Sequence, residues 1–304
     1  MFDVVDPATE EVGFRVAEAA QADVVTADRA ACAALVGDAR VDMVSFTGSN
    51  ATGLGVAAAC ACRLARVTLE LGGKSAALIL GDFDLERAAG TLAGAARRLS
   101  GQVCYATTRL IVERRRHDAF VEALAAAFGS TRVGDRFDSA CEMGPVLSAR
   151  QRDRIEGYLA RGRADGARLG SGGGRPAHLA RGFSIEPTVF ADVDNRSVIA
   201  QEEIFGPVLT VIAAHGEKDA VAKANDTVYG LNASVYTDDV QRAYAVARRL
   251  RSGTVGHNGP RTDVTIAFGG FKQSGIGREG GAEGLRAFLE PKTVLLDATP
   301  QQLG

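Results

Sequence analysis

Val41–Gly73 reads VDMVSFTGSNATGLGVAAACACRLARVTLELGG, and its punctuation decides the fold class. Val41–Phe46 is a short apolar, β-branched run that ends in Thr47-Gly48-Ser49. Ala51–Arg66 reads as a helix, and Val67–Leu71 is a second apolar run closed by Gly72-Gly73. Strand, glycine turn, helix and strand in that order make a parallel βαβ unit, since parallel neighbours need a long crossover between them. The stretch therefore predicts an α/β protein with a doubly wound parallel sheet.

The alternation extends in both directions. Residues 3–16 alternate around a turn and predict an opening β-hairpin, followed by an Ala-rich helix from Asp23 to Leu35 with Thr26 or Asp28 as capping residues. Downstream, Ser75–Leu80 predicts a strand, Asp84–Leu99 a helix capped by Asp82 or Asp84, and Arg109–Glu113 the next strand. Helices are expected over 117–128, 148–166, 217–226 and 238–251, and strands near 185–190, 207–213, 232–236 and 253–256. Gly170–Gly174 is expected to be a surface loop, and Phe288–Leu296 (FLEPKTVLL) a closing strand.

Composition narrows the class. The 304 residues are 46% hydrophobic and 24% charged, close to the globular average of about 25% charged, which excludes wholesale disorder. Lys+Arg 35 against Asp+Glu 37 leaves a formal charge of -2, so no basic excess points to nucleic acid. No apolar run approaches the roughly 18 residues of a spanning helix. The opening MFDVVDPATEEVGF carries early acids and no apolar core of a signal peptide. Five cysteines at 32, 60, 62, 104 and 141 are odd in number and irregular in spacing. They read as reduced thiols of a cytoplasmic protein.

Five places could carry chemistry. Cys104 ends a Gly101-Gln102-Val103 turn between a helix and a strand, where a side chain can project into a cleft. It is either a small buried hydrophobe or a nucleophile whose oxyanion the turn amides would stabilise. Glu70 stands in VTLELGG at the end of an apolar strand. It is either an edge carboxylate facing water or a buried general base with a raised pKa. Gly48–Gly53 (GSNATG) follows a strand and opens a helix, a geometry that suits phosphate as well as plain helix capping. It is no P-loop, and G-x-G-x-x-G is absent. Gln201–Pro207 (QEEIFGP) crowds two acids and an aromatic before a Gly-Pro turn, as a helix end or as a carboxylate reaching a ribose. Phe268–Arg278 (FGGFKQSGIGR) is too bulky and charged for a spacer. Cys60 and Cys62 point apart on a helix, and the histidines at 117, 178, 215 and 257 are scattered, so no metal site is expected.

Taken together, VSFTGS (44–49), LELGGK (69–74), GQVC (101–104), EEIFGP (202–207) and FGGFKQSG (268–275) stand in the order found in the aldehyde dehydrogenase superfamily. The chain resembles that family from about residue 36 to 297. The resemblance implies an aldehyde dehydrogenase-like fold and oxidation of a small-molecule aldehyde to a carboxylic acid, with NAD or NADP as hydride acceptor. Cys104 would be the nucleophile and Glu70 the general base. Gly48, Ser49 and Gly53 would meet the cofactor's phosphates, Glu203 and Phe205 its nicotinamide riboside, Leu71 the cofactor as well, and Phe268 the aldehyde. It also implies four divisions: 1–34, the hairpin and helix of a cofactor domain; 35–71, its remaining βαβ part; 72–275, the catalytic domain; 276–304, a C-terminal helix and oligomerisation strand.

One departure qualifies these expectations. Residues 2–30 resemble the start of the family, yet Leu35–Asp42 belongs well past the middle of its cofactor domain. The intervening stretch is missing, with an apparent junction near 29–36. In the family that stretch holds the first strands of a Rossmann-like sheet, an oligomerisation hairpin, the Pro-Trp-Asn segment of the oxyanion hole and a Lys-Pro segment at the adenosine ribose. The chain contains no Trp. Two other readings follow: a non-enzymatic deletion remnant, and a residual thiol esterase using Cys104 and Glu70.

Overall fold

The computed structural model describes residues 2–10, 12–16, 29–135, 137–261, 263 and 265–298. Strands β1 (Phe2–Val5) and β2 (Val12–Val16) pair antiparallel as the opening hairpin. Helix α1 (Arg29–Gly37) follows. The first residues of the helix expected over 23–35, with both capping candidates, lie outside the described residues.

The βαβ unit is formed by β3 (Met43–Thr47), α2 (Asn50–Ala61) and β4 (Arg66–Glu70). Its strands run parallel, with Val44 opposite Val67 and Phe46 opposite Leu69. Ser49 caps α2 by accepting the Thr52 amide on Oγ. The helix stops at Ala61 instead of running to Arg66, because the chain turns back at Leu64 in a left-handed conformation (φ 58°).

The larger sheet contains β5 (Ser75–Ile79), β6 (Thr107–Glu113), β7 (Arg168–Ser171), β8 (Thr188–Ala191), β9 (Val208–Ala214), β10 (Asn232–Tyr236) and β11 (Thr254–His257). Their order is β11-β10-β5-β6-β9-β8-β7. All neighbours are parallel except β7, which is antiparallel to β8. Both faces are covered, as a parallel sheet requires. Helices α3 (Leu85–Arg97) and α4 (His117–Gly129) pack on the face that carries Ala77, Ile79, Leu110 and Val211. Helices α5 (Ala149–Ala164), α6 (Val198–Gln201), α7 (Glu217–Asn225) and α8 (Val240–Ala247) cover the face that carries Ala76, Leu78, Ile111 and Ile212. Successive residues of one strand thus feed two cores, which is why these strands read as unbroken apolar runs. Asp84 accepts the Arg87 amide and starts α3.

Two expectations change. The glycine-rich stretch 170–174 is not all loop, since Gly170 and Ser171 complete the edge strand β7. Residues 288–296 form no strand. A strand needs a neighbour to share its hydrogen bonds, and this segment has no strand partner among the described residues.

A last short strand, β12 (Gly275–Ile276), runs antiparallel to β4, with Gly275 opposite Glu70. It completes a three-stranded small sheet in the order β12-β4-β3, and α9 (Gly281–Arg286) follows it. The small sheet ends at Glu70, and only the four residues 71–74 separate it from β5 of the large sheet. That short crossing is where the chemistry-bearing residues gather. No helix among the described residues is long and apolar enough to cross a membrane.

Candidate active site

Glu70 is the last residue of β4, and its carbonyl accepts the Gly48 amide at 3.0 Å. Its side chain points inward; the residue is 3% exposed, and neither carboxylate oxygen has a hydrogen-bond partner among the described residues. Burial, reinforced by the Glu279 carboxylate and opposed by Arg278, pushes its pKa up to about 8. The carboxyl group is therefore mostly protonated at neutral pH and becomes a base as the pH rises. Of the two readings of Glu70, the buried one is the structure's.

The crossing after Glu70 is held from both sides. Gly72 donates its amide to Asn50 Oδ1 at 3.2 Å, and Gly73 donates to Glu203 Oε1 at 3.0 Å. A side chain at Gly73 would put its Cβ 2.5 Å from the Cys104 carbonyl oxygen. Gly73 is thus glycine because the nucleophile candidate's backbone lies against it.

Cys104 follows three consecutive left-handed residues, Leu99, Ser100 and Gly101 (φ 48°, 55° and 74°). For residues with a Cβ such conformations cost about 1–3 kcal/mol each and persist only where surroundings enforce them. Here Ser100 Oγ donates to the Gly144 carbonyl at 2.8 Å, and Gln102 Oε1 accepts the Leu147 amide at 3.0 Å. The thiol is half-buried. Burial raises its pKa, the Glu203 carboxylate adds to the rise, and the amides of Tyr105 and Cys104 itself oppose it. The same amides are the donors an oxyanion at this sulfur would meet.

Glu203 is half-buried on the loop before β9, and burial raises its pKa against the Gly73 amide and the cations Arg154 and Lys74. Arg154 donates to the Glu203 carbonyl at 2.7 Å, and Gln151 Nε2 donates to the Phe205 carbonyl at 2.7 Å. Phe205 takes a left-handed conformation (φ 59°) and leaves its ring 37% exposed. On the other side of the crossing, Gly48 and Ser49 sit at the head of α2. Gly53 lies inside the helix, its amide donating to the Ser49 carbonyl at 2.9 Å. A Cβ there would come within 2.5 Å of Leu71 Cδ2. The Gly53 and Leu71 pair is therefore a close packing contact between α2 and the end of β4.

Phe268 is half-buried and meets Tyr105 edge to face, ring centroids 6.2 Å apart. Both rings line a pocket of about 560 Å³ together with Val103, Ala96, Val255 and Ala267. Arg98, Arg261 and Asp263 stand at its exposed rim. The backbone of Phe268 exchanges two hydrogen bonds with Glu279, at 2.7 and 2.8 Å, while Glu279 Oε1 accepts from Ser45 Oγ at 2.8 Å.

Sequence reasoning singled out the nine residues above but missed Asn50, Tyr105, Arg154 and Glu279. Asn50 was signalled only by its place as the first residue of α2. Glu279 was signalled only by following the Phe268–Arg278 segment. Among the described residues one group could offer three metal ligands, His117, Asp118 and Asp192, which lies on the large sheet's far edge. Arg168 already binds both of its carboxylates, at 3.2 and 2.8 Å.

A thiol beside backbone donors, a buried carboxyl group, and an apolar pocket form a constellation suited to covalent chemistry on a carbonyl. The aldehyde dehydrogenase family matches residues 24–294. A geranial dehydrogenase of Castellaniella defragrans is 47% identical over 272 residues, covering 90% of this chain and 56% of that protein. A betaine aldehyde dehydrogenase of Brucella melitensis is 43% identical over 87% of this chain and 55% of its own. Among solved structures, a Mycobacterium tuberculosis aldehyde dehydrogenase complexed with NAD+ superposes with a TM-score of 0.88 at 47% identity, over 90% of this chain and 57% of that one. A Pseudomonas syringae aldehyde dehydrogenase holding NAD+ and octanal gives 0.83 at 42% identity, over 86% and 54%. The chain spans little more than half the length of these relatives. With 271 of its residues inside the matched range and the same fold around Glu70 and Cys104, the chain belongs to the aldehyde dehydrogenase family.

Proposed function

We propose that this chain carries the covalent chemistry of aldehyde oxidation, with Cys104 as nucleophile and Glu70 as general base. The observation that supports it best is the convergence on the Gly72-Gly73 crossing just after Glu70, where Gly73 contacts the Cys104 backbone and donates to Glu203. The Cys104 thiolate attacks the aldehyde carbon, a C–S bond forms, and the carbonyl electron pair moves to oxygen, where the Cys104 and Tyr105 amides receive it. NAD or NADP supplies the acceptor for the hydride that leaves this carbon. Glu70 then takes a proton from water, the resulting hydroxide attacks the thioester, and the C–S bond breaks to release the carboxylic acid and the thiolate.

The residues present fit the phosphate and nicotinamide half of such a cofactor. Gly48 and Ser49 at the head of α2 would face phosphate, with Gly53 and Leu71 as the packed wall behind them. Glu203 would accept from the ribose, and the exposed Phe205 ring, held in a strained conformation, offers a face to it. A substrate with an apolar body suits the pocket, whose described lining is mainly small aliphatic residues with the Tyr105 and Phe268 rings. Quaternary ammonium groups are recognised by denser aromatic cages.

The divisions follow the same reading: cofactor-side segments at 1–34 and 35–71, a catalytic unit at 72–275, and an assembly segment at 276–304. Exposed Leu285, Phe288, Leu289, Val294, Leu295 and Leu296 support assembly with further copies through the last division. A second reading is favoured by the three-stranded small sheet and by the coverage of the relatives: a non-enzymatic remnant of an internal deletion, lacking one oligomerisation hairpin.

The test is purified protein with linear and branched aldehydes and both cofactors. A rise in NADH or NADPH absorbance that Cys104→Ala abolishes supports oxidation. No rise, with no cofactor binding by calorimetry, supports the remnant. Ester hydrolysis that needs Cys104 but no cofactor would leave only a thiol esterase.

A further inference from the structure

Lys74 closes the LELGGK segment and takes no part in the steps above. The residue is 2% exposed, yet its Nζ has no hydrogen-bond partner among the described residues. An ammonium in that state is costly unless it is hydrated or paired. Two small cavities adjoin it, each of about 10 Å³, room for roughly one water. One lies between Lys74 and Glu203, walled by Gly73, Gly101 and Ile204. The other lies between Lys74 and Asn232, with Ser75 and Arg109 in its wall.

The second cavity is surrounded by polar atoms that lack partners. Asn232 Oδ1 and Ser75 Oγ are buried without one, as is Lys74 Nζ. A buried water requires two to four such groups. The other end of the Asn232 amide is already engaged, since Nδ2 donates at 3.1 Å to the carbonyl of Tyr105, the residue after Cys104. On the first side, the Glu203 carboxylate accepts one hydrogen bond among the described residues, from the Gly73 amide to Oε1. The charged groups that act on Lys74 are Arg109, which favours loss of its proton, and Glu203 and Glu202, which favour its retention.

We propose that Lys74 is a positioning residue that holds one buried water in each cavity, steadying Glu203 through the first and, through Asn232, the Cys104–Tyr105 backbone through the second. The proposal rests on the reading of Cys104 as nucleophile and Glu203 as the cofactor-side carboxylate. Its structural half stands without either.

A high-resolution crystal structure of the full chain tests that half. Ordered waters on Lys74 Nζ in both cavities are expected; dry cavities, or a direct Lys74–Glu203 ion pair, overturn the proposal. Lys74→Met keeps the length and removes the charge. It should stay folded with a urea midpoint no lower than the parent's, lose both waters, and alter the iodoacetamide alkylation rate of Cys104 by about fivefold, the worth of one hydrogen bond. In NAD+ titrations the variant should bind about fivefold more weakly, and Lys74→Met combined with Glu203→Gln no more weakly than Glu203→Gln alone. Additive losses, or an unchanged alkylation rate, overturn it. If the parent binds no NAD+, the cofactor reading fails, while the waters and the alkylation rate still decide the role of Lys74.

Discussion

The Gly73 amide donates to Glu203 Oε1 at 3.0 Å, a bond that joins residues 130 positions apart. It ties the crossing after Glu70 to the loop before β9 and sets a carboxylate beside the Cys104 turn. The same short crossing touches α2 through Asn50 and Gly72. Substitutions around it should therefore separate chemistry from support.

Cys104→Ala should abolish aldehyde oxidation and ester hydrolysis alike. Glu70→Gln should lower steady-state turnover by about 10²–10⁴, the range of a positioned general base, while leaving a first burst of reduced cofactor. Rapid-mixing kinetics check this. A variant that loses burst and steady state equally would assign Glu70 to the first step.

Glu70 also predicts a pH dependence. Its carboxyl titrates at about 8, raised by burial and by Glu279, and only the ionised form is a base. Turnover limited by thioester hydrolysis should climb through pH about 8 and then level off. The profile of Glu70→Gln should lack that limb. For stability the sign is opposite: the folded chain holds this proton more tightly than the unfolded one. The contribution is complete below the unfolded value near 4.5 and is lost as pH rises through about 8. Urea midpoints at two pH values flanking that window should show Glu70→Gln gaining on the parent as pH rises.

Gly101→Ala attacks the nucleophile's turn. The residue has φ 74°, and an added Cβ would fall 2.3 Å from the Gly206 backbone. Strain of this kind costs about 1–3 kcal/mol before any displacement. Chemical denaturation should show at least that loss, with a changed Cys104 alkylation rate because the turn must shift. An Ala variant as stable as the parent would show that the turn can move freely.

Arg109 should be indispensable to the fold while taking no part in catalysis. It is 1% exposed and donates to the Lys74, Lys223 and Ala224 carbonyls and to Asn195 Oδ1, at 2.7–3.0 Å. Arg109→Met would take the donor from four acceptors, three of them in buried bonds, a loss of about 3–5 kcal/mol. By contrast, Glu142→Ala removes a partly exposed pair with Arg97 and should lose far less from that pair. Paired urea curves would reveal the difference, and similar losses for the two would sink the argument.

Much of the fold was legible because it is written in local periodicity. The run SAALIL and the run VLTVIAA are buried on both faces, and unbroken apolar stretches of that length are what a two-sided parallel strand requires. Asp84 was legible as a cap because its partner amide lies three residues away. The hairpin at the start needed only a turn and alternation. Phe288–Leu296 misled for the converse reason: its residues have strand character, but strand formation depends on a neighbour that local pattern does not name. Gly170 was read as loop because an edge strand tolerates glycine and a chain-local reading has no view of edges.

The site divides along the same line. The sequence by itself determined the βαβ class and the order of the five motifs, and it singled out Cys104, Glu70, Glu203 and Phe268 as candidates for their chemistry. Each of those lies within a few residues of glycines or apolar runs that mark it. Only the tertiary structure decided that Glu70 is buried with no hydrogen-bond partner, that Glu279 comes back against it from 209 positions away, and that Lys74 is sealed between Glu203 and Asn232. Burial and charge environment are properties of what packs around a side chain. In this chain Glu279, Glu203 and Asn232 come from loops and a strand distant in sequence, so no local stretch contains them.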